Sequence, residues 1–199
     1  MKGIILLNGE PYSGKIDTTN SLVYCCDGAY NWAHGRVKID ENIGDFDSVE
    51  VTPYPAPKEV YPSEKDLTDG ELALLKMLDK DVSEIEIYGG GGGREDHFLG
   101  NLNLLYLGHI RGKKCKMVTN YSEIFVCEGR ADFSAYRGRT VSVLPFFGEL
   151  HILSSKGLKY AYPEVLPFGS TRGISNEVTG RGELNFEGVA IIIDNGGKV

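Results

Sequence analysis

The chain reads as an α/β domain followed by an all-β domain, and three observations predict this. Short apolar runs at residues 3–7, 22–26, 85–88 and 114–120 alternate with segments of helical period, which implies a mostly parallel sheet. From about Gly129 no long helical period survives, and short β-like runs at 140–147, 150–153, 158–162 and 189–193 are parted by glycines. A length of 199 residues suffices for one large or two small domains with their own cores. The expected organisation is a doubly wound, Rossmann-like domain over residues 1–128 and a smaller β-sandwich over 129–199.

Composition narrows the class of partner. Hydrophobic residues at 41% and charged residues at 25% describe an ordinary soluble globular protein. The formal net charge of -7 argues against nucleic acid and against an anionic membrane surface. An anionic ligand therefore requires a few local cations or a metal. The four cysteines, Cys25, Cys26, Cys115 and Cys127, show no C-x-x-C spacing and read as core thiols of a reducing compartment. The apolar run after Met1 is too short for a signal peptide or a spanning helix, so a cytoplasmic location is expected.

Taken in order, residues 3–7 form a strand buried on both faces. The following Gly9-Glu10-Pro11-Tyr12-Ser13-Gly14-Lys15 has the spacing of a phosphate-binding Walker loop. However, Ile16 stands where a magnesium-holding Ser or Thr belongs, and Asp17-Thr18-Thr19-Asn20 reads as a turn instead of a helix. The second strand ends in Asp27, placed where ligands of open α/β sheets gather, or where a helix would take its cap. In Gly44-Asp45-Phe46-Asp47-Ser48, two carboxylates at i and i+2 of an extended segment project to one side and suit a hard cation; alone, they also fit a solvated loop.

Pro53-Tyr54-Pro55-Ala56-Pro57 reads as a stiff connector. Beyond it, Thr68 and Glu71 form a capping box before a helix carrying Leu72, Leu74, Leu75 and Leu78. Asp69 falls in its first turn, with Lys65 and Asp66 just ahead. Residues 85–88 lead into five glycines, Gly89 to Gly93, then Arg94, Asp96 and His97 and a dense apolar helix expected to be mostly buried. Glycines alone make either a flexible turn or a backbone cradle for an anion. A guanidinium, a carboxylate and an imidazole beside a helix N-terminus favour the cradle.

Several of these fragments resemble, in order, the motifs of thiamine pyrophosphokinases: Asp27-Gly28, Gly44-Asp45-Phe46-Asp47-Ser48, Lys65-Asp66 with Thr68-Asp69 and Glu71, Gly92-Gly93-Arg94 with Asp96-His97 and Asn101, and Ser175-Asn176-Glu177. The resemblance implies transfer of a pyrophosphoryl group from ATP to the hydroxyl of thiamine, giving thiamine diphosphate and AMP. It implies a homodimer whose active site combines the α/β domain with the β domain of the other subunit. Asp45, Asp47 and Asp69 match magnesium-binding carboxylates, and these three with Asp96 are the catalytic set. Asp27, Lys65, Thr68, Gly92, Gly93, Arg94, His97 and Asn101 match positions around the nucleotide, while Ser175 and Asn176 fall in the thiamine-facing motif. Position 65 is Lys where some members carry Gln, and the aromatic that some members place over the thiamine rings has no match in the sequence. Asp96 and Asp69 are both open as general base. Two other readings compete: a non-catalytic sensor of thiamine or its diphosphate, against which the complete metal-ligand set counts, and a kinase centred on Gly9 to Lys15.

Overall fold

The structure is a computed structural model describing residues 1–51, 58–61 and 66–196. The proline-rich connector and Lys65 lie outside the described residues. By internal contacts the chain divides into two compact units, Met1–Asn120 and Tyr121–Val199.

In the first unit, β1 (Lys2–Leu6), β2 (Ser21–Cys26), β3 (Glu41–Gly44), β4 (Lys58–Val60), β5 (Glu84–Tyr88) and β6 (Lys114–Val118) pair in parallel in the order β6-β5-β1-β2-β3-β4. Strand alternation sends Ile4, Leu6, Val23 and Cys25 into a cluster with Tyr30 and Ala33 of the short helix α1 (Tyr30–Ala33). Helix α2 (Asp69–Leu78) packs on the opposite face, where Gly3 leaves room for Met77: a Cβ there would lie 2.8 Å from the Met77 side chain. After β1 the chain crosses to β2, and after β5 it crosses to β6 on the other side. The loops leaving the carboxyl ends of β1 and β5 therefore part, opening the crevice in which open α/β sheets bind ligands.

Helix α3 (Glu95–Ile110) departs from the expectation of burial. Its buried residues are Leu104, Leu105 and Gly108, whereas Leu99 is 61% and Ile110 56% exposed. Apolar density alone does not reveal which apolar residues of a helix stay exposed.

The second unit contains β7 (Glu123–Asp132), β8 (Thr140–Pro145), β9 (Leu150–Leu158), β10 (Val165–Leu166) and β11 (Asn176–Asp194). The long β11 pairs antiparallel with β7 and β9 and parallel with β8, and β10 pairs antiparallel with β9. Phe133, Val141, Leu150, Val178, Leu184, Phe186 and Ile192 fill its core. Gly129, read from the sequence as the start of the β domain, lies inside β7 at φ 78, opposite a register shift in β11 between Asn185 and Val189. It marks a β-bulge, which a glycine signals as readily as a boundary. The run at 150–153 extends into one strand that passes through Gly157 at φ 63 and ends at Leu158, so that residues 159–162 of the next expected run lie beyond it.

Among the described residues no helix is long and apolar enough to cross a membrane. None of the four cysteines forms a disulfide among the described residues, and Cys25, Cys26 and Cys115 are buried.

A buried carboxylate makes the first unit acid-sensitive. Glu86 is 8% exposed on β5 and accepts hydrogen bonds from Lys2 Nζ at 2.7 Å and Tyr88 Oη at 2.9 Å, with Lys116 Nζ 3.2 Å away. Burial pushes its carboxyl up, but the bonds from Lys2 and Tyr88 and the charge of Lys116 outweigh it and leave the group below its ordinary value. A depressed carboxylate contributes its full stability above the unfolded-chain value near 4.3 and loses it as pH falls through the folded value. The melting temperature of the parent protein should fall between about pH 5 and pH 3, and Glu86→Gln should flatten that fall. An equally steep fall in the variant would assign the acid sensitivity elsewhere.

Candidate active site

The site is assembled where the two loops at the crevice touch. Gly9 N–H donates to Gly89 O at 2.8 Å and Glu10 N–H to Gly91 O at 2.6 Å. A Cβ on Gly9 would lie 2.5 Å from Gly89 O, and one on Gly89 would lie 2.2 Å from Leu7 O, so backbone meets backbone and no side chain fits. The indole of Trp32 donates to Leu7 O at 3.1 Å and steadies the same corner. With their N–H groups bonded to the glycine run, Gly9 and Glu10 cannot cradle a phosphate. The Walker-like stretch is a strap: Ser13 N–H and Oγ both donate to Asn120 Oδ1 at 2.8 Å, and Asn120 Nδ2 donates to Pro11 O at 3.0 Å.

Gly92 and Gly93 turn the chain at φ 66 and 71 into α3. Arg94 lies at the helix N-cap and grips Asp96 of the first turn through Nε to Oδ1 at 3.1 Å and Nη2 to Oδ2 at 2.6 Å. Asp96 Oδ1 also accepts from His97 N–H at 2.9 Å. The Arg94 guanidinium, more than any other group, holds the Asp96 carboxyl below its usual range, and Asp96 in turn raises Arg94. Asn101, one turn further on, donates to Gly90 O at 2.9 Å and ties α3 to the glycine run.

Thr68 caps α2 by accepting from Glu71 N–H at 3.2 Å, as the capping box predicts. Asp69 begins the helix, and its carbonyl accepts from Cys26 Sγ at 3.5 Å. Together these loops and the flank of α3 enclose a cavity of about 880 Å³ lined by Asp27, Thr68, Asp69, Gly92, Gly93, Arg94, Asp96, His97 and Asn101.

The carboxylates gather differently from the expected set. Asp27, Asp45 and Asp47 each offer an oxygen within 4.8 Å of the others, and Asp69 is not in this group among the described residues. Two backbone irregularities produce the convergence. Asp27 starts a one-turn 3-10 helix at φ 44, and buried Phe46 takes φ 64, so the 45–47 segment is a turn and not the extended stretch expected from its spacing. A bulky residue in the left-handed region is strained, and such strain concentrates at functional sites. Asn31 of α1 holds the turn from beneath, donating to Ser48 O at 2.8 Å and accepting from Glu50 N–H at 2.9 Å. Sequence reading passed over Asn31 because nothing in its neighbourhood signals a distant loop.

The donor set fits a hard divalent cation. Three carboxylates meet without an ion pair among the described residues, and the buried Asp27 Oδ1 has no hydrogen-bond partner there. Like charges so placed repel unless a cation joins them.

In the second unit, Ser175 stands at φ 57 and its N–H donates to Ser142 Oγ at 3.0 Å. Asn176 is 4% exposed and its amide pairs with the Tyr160 backbone: Nδ2 donates to Tyr160 O at 2.8 Å and Oδ1 accepts from Tyr160 N–H at 3.0 Å. Tyr160 is 58% exposed, with Lys159 Nζ 5.7 Å from its ring centre. Sequence reading missed Tyr160, since its only local signal is an aromatic at a strand end.

Residues 15–119 match the model of the thiamin pyrophosphokinase catalytic domain, and residues 130–190 match that of the thiamin pyrophosphokinase vitamin B1 binding domain. The chain is 37% identical over 164 residues to a thiamine pyrophosphokinase of Bacillus subtilis (strain 168), covering 77% of each. A crystal structure of thiamine pyrophosphokinase from Bacillus subtilis superposes with a TM-score of 0.85 at 30% identity, covering 98% of this chain and 99% of that one. One from Geobacillus thermodenitrificans gives 0.82 at 25% identity, covering 98% and 97%. Two family models that between them span both units, and a relative of this identity, show that the chain belongs to the thiamine pyrophosphokinase family.

Proposed function

We propose that the protein transfers a pyrophosphoryl group from ATP to the hydroxyl of thiamine, releasing AMP, in a Rossmann-like, doubly wound domain completed by a thiamine-binding β-sandwich. The observation that carries this reading is the convergence of Asp27, Asp45 and Asp47 beside a glycine-walled cavity at the carboxyl ends of the strands. These three carboxylates would hold Mg2+, with Asp69 on the cavity wall as a further oxygen donor. A bound magnesium supplies charge neutralisation at the transferring phosphoryl oxygens.

The remaining chemistry belongs to the chain. Gly92 and Gly93 let the triphosphate approach the backbone, and the N-terminus of α3 favours its charge. Arg94, held in place by Asp96, pairs with phosphate oxygens, and Lys65 adds a second cation. Thr68 keeps Asp69 at the start of α2, where it accepts the proton of the attacking hydroxyl. Asp96 is the poorer base, because Arg94 stabilises its ionised form. A loose transition state asks little of that base, so positioning and electrostatics dominate. His97 and Asn101 complete the wall. On the β domain, Ser175 and Asn176 form the thiamine-facing motif, and the clamped, exposed Tyr160 supplies a flat aromatic surface for the thiamine rings.

We also propose a cytoplasmic homodimer with shared active sites, consistent with cysteines that form no disulfide among the described residues and with the exposed apolar residues Leu99 and Ile110 on α3. The direct test is incubation with thiamine, ATP and Mg2+ followed by product identification. AMP with thiamine diphosphate is the expected outcome. ADP with thiamine monophosphate overturns pyrophosphoryl transfer.

A further inference from the structure

Inside the turn that carries Asp45 and Asp47, the backbone donors make long bonds. Asp47 N–H lies 3.4 Å from Asp45 Oδ1, and Val49 N–H lies 3.4 Å from Phe46 O. Buried Phe46 takes φ 64, which a bulky side chain disfavours. Such a turn does not keep its shape by local preference.

Two shorter bonds reach it from α1, both from Asn31: Nδ2 donates to Ser48 O at 2.8 Å, and Oδ1 accepts from Glu50 N–H at 2.9 Å. A carboxamide donates and accepts in one plane, so one side chain closes the turn as a facing peptide would. Ser48 and Glu50 are exposed, and water could satisfy the same two groups, so these bonds add little to stability. What they fix is a position. The 3-10 turn at Asp27–Ala29 runs directly into α1, so Asp27 and Asn31 stand on one continuous helical stretch. That stretch supplies the first carboxylate of the cluster and grips the loop that supplies the other two. At the entry to the loop, a Cβ on Gly44 would lie 2.9 Å from Asp27 Cβ, so the chain is already pressed against Asp27 there. Gly44 thus sets the entry of the turn, and Asn31 sets its exit.

We propose that Asn31 is a positioning residue for the divalent cation: it holds the 45–47 turn where both of its carboxylates converge with Asp27, and so sets the affinity of the site. Three carboxylates within 4.8 Å repel one another and would spread if the turn were free. A clamp that holds them together before the cation arrives removes that ordering cost from binding. The inference rests on the reading of Asp27, Asp45 and Asp47 as the cation site.

Mn2+ binding without nucleotide, followed by the electron paramagnetic resonance of free Mn2+, tests it on the parent and on Asn31→Ala, Asn31→Asp and Asp47→Asn. The parent should bind Mn2+ and Asp47→Asn should not. Asn31→Ala should raise the Mn2+ Kd by at least about tenfold, at a melting temperature close to that of the parent. Asn31→Asp keeps the acceptor for Glu50 N–H but sets an oxygen against Ser48 O, and it should bind Mn2+ more weakly than the parent despite its added negative charge. In turnover, Asn31→Ala should need more Mg2+ for half-maximal rate, reach a kcat within about threefold of the parent at saturating Mg2+, and keep the KM for thiamine. A Mn2+ Kd within about twofold of the parent in Asn31→Ala, tighter binding in Asn31→Asp, or a kcat that saturating Mg2+ does not restore each overturns the role of Asn31. If the parent binds Mn2+ and Asp47→Asn does not, those results leave the cation site standing. A parent that binds no Mn2+, or Asp47→Asn binding it undiminished, overturns the cation site and this inference with it.

Discussion

Asp27→Asn should fold normally and lose at least about a hundredfold in kcat/KM, about 2.7 kcal/mol of transition-state stabilisation. The substitution keeps the shape of the side chain and tolerates the backbone, since Asn is among the residues that adopt positive φ, and Asp27 sits at φ 44. It removes only the charge. In metal-free buffer the variant should melt at or above the parent temperature, because one of three converging carboxylates no longer repels the others. In Mg2+ the order should reverse, since a metal that binds only the folded parent adds to its stability. Crossing melting curves with collapsed turnover would place Asp27 in the cation site. Turnover within about threefold of the parent would remove it and return the third ligand to Asp69. The comparison matters because the sequence reading assigned the cation to Asp45, Asp47 and Asp69, whereas the nearest oxygens belong to Asp27, Asp45 and Asp47.

That difference shows how far the sequence can be read. Strands β1 and β2 were legible because strands buried on both faces are continuous apolar runs, and Ile4, Ile5 and Leu6 or Val23, Tyr24 and Cys25 are nearly inaccessible, whereas β3 and β4 carry no such run and were not read as strands. The α2 cap was legible because a capping box is a local device, completed within the residues from Thr68 to Glu71. The carboxylate grouping depends instead on two positive-φ residues, Asp27 and Phe46, and on Asn31 reaching the 48–50 segment, none of which leaves a periodic trace. The bulge at Gly129 was mistaken for a boundary for a related reason: a glycine marks a backbone irregularity without saying whether the strand resumes. The Walker-like spacing at Gly9 misled in the opposite sense. Its Gly9 lets two backbones touch, which no motif of one segment can express.

Asn176 tests the β domain with an effect on stability and binding together. Asn176→Ala takes the 4% exposed amide away from the N–H and C=O of Tyr160, a loss of about 2 kcal/mol for two polar groups that water reaches in part. Asn176→Asp should be no better, because it keeps an acceptor for Tyr160 N–H but sets a second oxygen against Tyr160 O. If the role of Asn176 is to aim Tyr160, the KM for thiamine should rise about tenfold or more in Asn176→Ala while the KM for ATP holds. Tyr160→Ala should raise the thiamine KM similarly at little cost in stability, because that side chain is 58% exposed. The double variant then decides between positioning and direct contact. A residue acting only through Tyr160 has nothing further to lose once the ring is gone, so the doubly substituted enzyme should show the thiamine KM of Tyr160→Ala alone. If the two rises in KM multiply instead, Asn176 contacts thiamine on its own account, and the clamp seen on the Tyr160 backbone is not the source of its effect.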